Sequence, residues 1–107
     1  MGDPVPAIAE DEATGAVAAT FDDIKATLGV PVVNLIWRHL ATIDGGLEWA
    51  WGAAKPIYAS GQAAGSAQAL FDRLPVAMPE PLAPGALHAV GVTGGDLSTA
   101  RAIAAGY

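Results

Sequence analysis

Asn34 and Arg38 stand four positions apart inside the most apolar run of the chain, residues 30–40, where almost every neighbour is Val, Leu, Ile or Trp. On a helix that spacing places them on one face. A guanidinium fork grips a carboxylate through two parallel N–H bonds, and a buried amide needs partners of its own. The pair therefore either lines a polar pocket that takes a carboxylate or satisfies a neighbouring helix end, and the residues alone leave both readings open. Other candidates are weaker. His39 and His88 lie 49 positions apart and form no metal-ligand spacing, so both are expected to be structural. Asp22 and Asp23 are adjacent, which on a helix points them about 100° apart, poor geometry for two carboxyls sharing a proton; a solvated face is expected. Asp44, in Asp44-Gly45-Gly46, reads as a helix cap. Gly94-Gly95-Asp96 lacks the preceding strand and wider glycine pattern of a phosphate loop. Trp37, Trp49 and Trp51 read as core rather than as a stacking platform. No residue is assigned as catalytic or as a metal ligand.

Composition removes whole classes of function. The 107 residues carry a formal charge of -6, with Lys25, Arg38, Lys55, Arg73 and Arg101 as the cations. That leaves no basic patch for phosphates or anionic headgroups, so neither nucleic acid nor a membrane surface is an expected partner. Cysteine is absent, which excludes disulfides, thiolate metal sites and the helical peroxidase-like thiol enzymes. No basic-then-apolar leader opens the chain and no run of 18 uncharged apolar residues occurs, so a cytoplasmic location is expected. Hydrophobic residues reach 52% against 15% charged, so the chain is expected to bury a face against something else.

The elements that must position these residues read as all-α. Residues 1–13, with Pro4, Pro6 and four acidic side chains, read as an extended N-terminal segment on the surface, followed by a helical domain over 14–107. Val17, Phe21, Ile24 and Leu28 recur at steps of four, three and four, predicting a helix over 14–28 closed by Gly29. Pro31 predicts the start of a second helix running to about residue 41. Its apolar circumference makes it the expected central helix, enclosed on nearly all sides. A third helix is expected from about Leu47, with Pro56 kinking or interrupting it, and a fourth over 60–74. Pro75, Pro79, Pro81 and Pro84 predict an extended connection, followed by a short helix over 85–90. The last helix is expected from near Asp96, with Leu97, Ala100, Ile103, Ala104 and Tyr107 on its apolar face and no stop signal except Gly106.

The run Thr20-Phe21-Asp22-Asp23-Ile24-Lys25-Ala26-Thr27-Leu28-Gly29-Val30-Pro31, continued by Arg38-His39-Leu40-Ala41-Thr42 and Leu47-Glu48-Trp49-Ala50-Trp51, resembles the DehI-type 2-haloacid dehalogenases, also called the halocarboxylic acid dehydrogenase DehI family. The likeness covers residues 18–59 without gaps and extends over 96–107. It rests on the ordered series rather than on one diagnostic motif. The resemblance implies an all-α fold of two tandem, similar halves packed as a pseudo-dimer around a shared active site. This chain looks like the first half, with about five to six helices.

Members of the family hydrolyse short 2-haloalkanoic acids to 2-hydroxy acids without metal or organic cofactor. An aspartate activates water for direct displacement at the α-carbon, so configuration inverts. The resemblance puts that aspartate in the second half and a water-orienting asparagine just past the first half's last helix, so this chain inherits neither. It implies a first-half pocket lining by large aromatics after Val-Pro, where this sequence has Val32 and Leu35. Asn34, Trp37 and Arg38 are expected to take over part of that lining, which gives Val32, Asn34, Leu35, Trp37 and Arg38 as substrate-binding residues. Alone, the chain is expected to be inactive. The competing expectation is a non-catalytic helical module that self-associates through its apolar faces, two copies imitating the pseudo-dimer.

Overall fold

The computed structural model describes residues 2–105 and contains six helices and no strand among them. They are α1 (Gly15–Leu28), α2 (Leu35–Leu40), α3 (Gly46–Ala59), α4 (Gln62–Arg73), α5 (Pro84–Ala89) and α6 (Gly94–Ala104). The all-α class read from the sequence is the class observed. Gly106 and Tyr107, assigned to the end of the last helix, lie outside the described residues.

Helix α1 forms where the apolar stripe predicts it. Phe21 and Ile24 point into the core, and Val17 and Leu28 continue the same face at its margin. Gly29 ends the helix at φ 67°, a left-handed turn that a side chain would strain, and the N–H groups of Gly29 and Val30 both donate to the Lys25 carbonyl.

Helix α2 begins four residues later than the proline predicts. Residues 31–34 are not helical, and the side chains of Glu10 and Arg38 take both backbone groups of Val33. Its N–H donates to Glu10 Oε2 at 2.9 Å, and its carbonyl accepts from Arg38 Nε at 3.3 Å. Asn34 then caps α2, its Oδ1 accepting from the Ile36 N–H at 3.1 Å. The expected enclosure of α2 is not observed either. None of its residues is fully buried and Ile36 is 53% exposed. The centre of the fold is instead the α1/α3 pair. Phe21, Ile24, Leu47 and Trp51 meet there with Val33, and Ile8, Trp37 and Leu40 pack around them.

Helix α3 packs against α1, α2 and α4. Its cap is Gly45 at φ 70°, not Asp44, which stays exposed in the turn. Gly46 is needed for a different reason: a Cβ there would come within 3.0 Å of the Leu40 carbonyl and of Ile43 Cβ, so the α2–α3 turn closes too tightly for a side chain. Pro56 does not interrupt α3, which runs on to Ala59. It lies in the last turn and forgoes the ladder bond to the Gly52 carbonyl without ending the helix.

Beyond α3 the chain buries little. No residue of α4, α5 or α6 is fully buried, and Leu70, Phe71, Leu74, Val76, Met78 and Leu82 are each more than half exposed. The proline-rich stretch between α4 and α5 is irregular, as expected. Helix α6 starts two residues before Asp96. Thr93 Oγ1 accepts from the Asp96 N–H at 3.1 Å, and Asp96 Oδ2 accepts from the Thr93 N–H at 2.8 Å, a reciprocal capping box. Its expected apolar face stays open, with Leu97 half-buried and Ala100 and Ala104 exposed.

Candidate functional site

The segment from Val32 through α2 presents two sides. Val32, Leu35 and Arg38 recur at steps of three, as do Asn34 and Trp37 on another side. A shallow hollow of about 480 Å³ is walled by Val32, Val33 and Arg38, by Ala9, Glu10 and Asp11 of the N-terminal segment, and by Ile103 of α6. A second cleft of about 560 Å³ lies elsewhere, walled by Asn34, Ile36, Trp37, Leu28, Tyr58 and the alanine face of α4. The structure thus brings Val32 and Arg38 together in one hollow, and Asn34 and Trp37 in another. Leu35 is half-buried and lines neither.

Arg38 is held from several directions. Its Nε donates to the Val33 carbonyl, which orients the guanidinium. Its NH1 and NH2 donate to Asp3 Oδ2 and Oδ1 at 2.8 and 3.3 Å, a two-point grip on a carboxylate. Only 19% of the Arg38 side chain is exposed. The grip holds the Asp3 carboxyl below its ordinary range, chiefly through the hydrogen bond and then through the positive charge. Arg38 also fixes the backbone of the same segment, its carbonyl accepting from the Ile8 N–H at 3.1 Å, and His39 Nδ1 sits 2.7 Å from the Pro6 carbonyl.

Glu10 supplies the opposite charge to the hollow. Burial works to raise its carboxyl, but the Val33 N–H, the Lys25 ammonium at 3.0 Å and the Arg38 charge outweigh burial and lower it. A carboxylate so engaged is a weak base, which argues against Glu10 as the group that activates water. The hollow thus sets the Arg38 guanidinium and the Glu10 and Asp11 side chains next to the apolar side chains of Val32 and Val33.

The second cleft carries no charged side chain in its wall. Trp37 meets Trp51 edge to face at 5.4 Å, and Trp51 stacks near Tyr58 at 6.2 Å. Trp51 is fixed from the far side, its Nε1–H donating to Asp23 Oδ2 at 2.8 Å, while Lys55 Nζ reaches both oxygens of Asp23. Asp23 is therefore a tie between α1 and α3 rather than part of a solvated face. Trp49 is 79% exposed and stands apart from the core that the sequence assigns to it. His88 lines a small hollow between α5 and α6 with Leu87, Val92 and Leu97. Among the described residues no group of three His, Cys, Asp or Glu side chains is placed to hold a metal ion.

Sequence reasoning does not single out Asp3 or Glu10, and it sets Asp23 on a solvated face. Each acts on a residue 23 to 35 positions away, and no local pattern marks such a pairing.

Compared with curated proteins, the chain shows a relationship of the 2-haloacid dehalogenase type. One such relative is the (R)-2-haloacid dehalogenase of Pseudomonas putida, 37% identical over an alignment of 83 residues that covers 70% of this chain. The chain spans 28% of that relative's length. No family model matches the chain, and no solved structure does.

Proposed function

We propose that this chain is the N-terminal half of a 2-haloacid dehalogenase-like hydrolase and forms the acid-binding wall of its substrate cavity. The observation that carries the reading is the two-point hold of Arg38 on a carboxylate beside a hollow that Val32 and Val33 help to wall. A short 2-haloacid needs that combination: a cationic fork for its carboxylate and apolar walls for its α-carbon and halogen. Arg38 holds the acid, and Val32 shapes the space beside the α-carbon. Asn34 and Trp37 cap and buttress α2 from the opposite cleft. Water activated by an aspartate of the remaining protein attacks the α-carbon, the carbon–halogen bond breaks as the carbon–oxygen bond forms, halide leaves and configuration inverts. An apolar enclosure strengthens such a carboxylate base, and the step needs no cofactor.

Halide release tests the reading. Chloride is measured from both enantiomers of 2-chloropropionate, with this chain alone and with the protein extended to the relative's length. The extended protein is expected to release chloride and the chain alone is not. Arg38→Met is expected to raise KM about tenfold or more, the loss of one charged two-point contact. No chloride from either enantiomer in the extended protein ends the dehalogenase reading.

A second reading is favoured by the exposed apolar side chains of α4 and the segment after it, Leu70, Phe71, Leu74, Val76 and Met78. In that reading the chain is a non-catalytic module that pairs with a second copy of itself. Sedimentation that gives a monomer at every concentration removes it.

A further inference from the structure

The carboxylate in the grip of Arg38 belongs to the chain itself, at the third residue of a segment with few other holds. Residues 2–6 are exposed along their whole length. Packing against the core begins only at Ile8, and Glu10 is anchored separately by Lys25 and the Val33 N–H. The ties of the segment up to Ile8 converge on two neighbouring residues of α2: Asp3 on the Arg38 guanidinium, the Pro6 carbonyl on His39 Nδ1 and the Ile8 N–H on the Arg38 carbonyl. Arg38 keeps its Nε bond to the Val33 carbonyl independently of Asp3, so the fork stays oriented beside Val32 when the aspartate leaves.

We infer that residues 2–6 form a removable strap whose Asp3 carboxylate occupies the seat on Arg38 that a small carboxylic acid takes, so that strap docking and acid binding exclude one another. The inference rests on the proposed function in placing the acid on Arg38, and adds a regulator to that site. Two carboxylates compete for one fork, and the tethered one lowers the apparent affinity of the free one by the fraction of time that the strap is released. The pair faces solvent on its Asp3 side, where the side chain is 39% exposed, so the strap can lift without disturbing the core. Freeing the fork converts a closed site into an open one without any change in the helices.

The test uses propionate, which has no halogen to lose, so its outcome is separate from chloride release. Propionate is titrated at constant ionic strength into the chain and into Asp3→Asn, and the Arg38 Nε–H and Val32 amide resonances are followed. If the strap is docked nine-tenths of the time, Asp3→Asn binds propionate about tenfold more tightly. The gain is expected to vanish in Asp3→Asn combined with Arg38→Met, and to shrink but persist with Arg38→Lys, which keeps the charge and loses the fork. Helical circular dichroism checks that each variant is folded. Equal affinity in the chain and in Asp3→Asn overturns the inference, as does no binding to either, or a gain that survives Arg38→Met.

Discussion

Single side chains carry unusual weight in this molecule because so few are fully buried. Ile24 is 0% exposed at the α1/α3 contact, with Phe21 and Leu47 beside it. Truncating such a residue costs about 2–5 kcal/mol, a large share of the marginal stability of a chain this size. Ile24→Ala is therefore expected to lower the denaturant midpoint severely or to leave the chain unfolded, as read by circular dichroism. Charge acts at the same scale. The Lys55 and Trp51 hydrogen bonds lower the Asp23 carboxyl, and Glu10 is lowered despite its burial. A carboxyl lowered on folding adds stability that is complete above its unfolded value and is lost as pH falls through the folded one. Melting temperatures are expected to decline in acid from about pH 4.5 downward, the ordinary value for Glu10, and Asp23→Asn should reduce that slope. None of this was visible in Asp22-Asp23. Two adjacent aspartates look alike in sequence, and only the fold turns one towards Trp51 and leaves the other in solvent.

At the scale of elements, local signals were read correctly where they acted locally. The spacing of Val17, Phe21, Ile24 and Leu28 and the glycine after them fixed α1 to within a residue. Replacing Gly29 by Ala is expected to cost about 1 kcal/mol in thermal or chemical denaturation, since its φ of 67° is one that alanine adopts only with strain. Thr93-x-x-Asp96 has the spacing of a capping box, and it starts α6 two residues before the expected Asp96. Thr93→Ala should fray α6 by about 1 kcal/mol, seen as faster amide hydrogen exchange over residues 94–97. The start of α2 was not legible. Pro31 suits a first helical turn, but Glu10 and Arg38 take both backbone groups of Val33, and Asn34 caps a helix that begins at Leu35, four residues on. Glu10 acts in both places, holding the Val33 N–H and walling the Arg38 hollow, and its distance along the chain hides both roles. Arg38 itself stood out as a polar residue in an apolar run, while the acids that flank it did not.

For the whole molecule, the apolar composition reappears as surface. The side chains from Leu70 to Leu82 that remain open are the counterpart of a sequence with many hydrophobic and few charged residues. Binding of an environment-sensitive apolar dye by the folded chain is the expected consequence, and its loss on addition of the remaining protein would place a partner on that face. The three tryptophans add an optical consequence. Trp51 is enclosed, Trp37 half-enclosed and Trp49 in water, so their emission should separate into bluer and redder components. Acrylamide should quench Trp49 first. Because Trp37 lies on α2, one residue before the arginine that grips Asp3, its share of the fluorescence offers a built-in gauge of whatever settles against that helix.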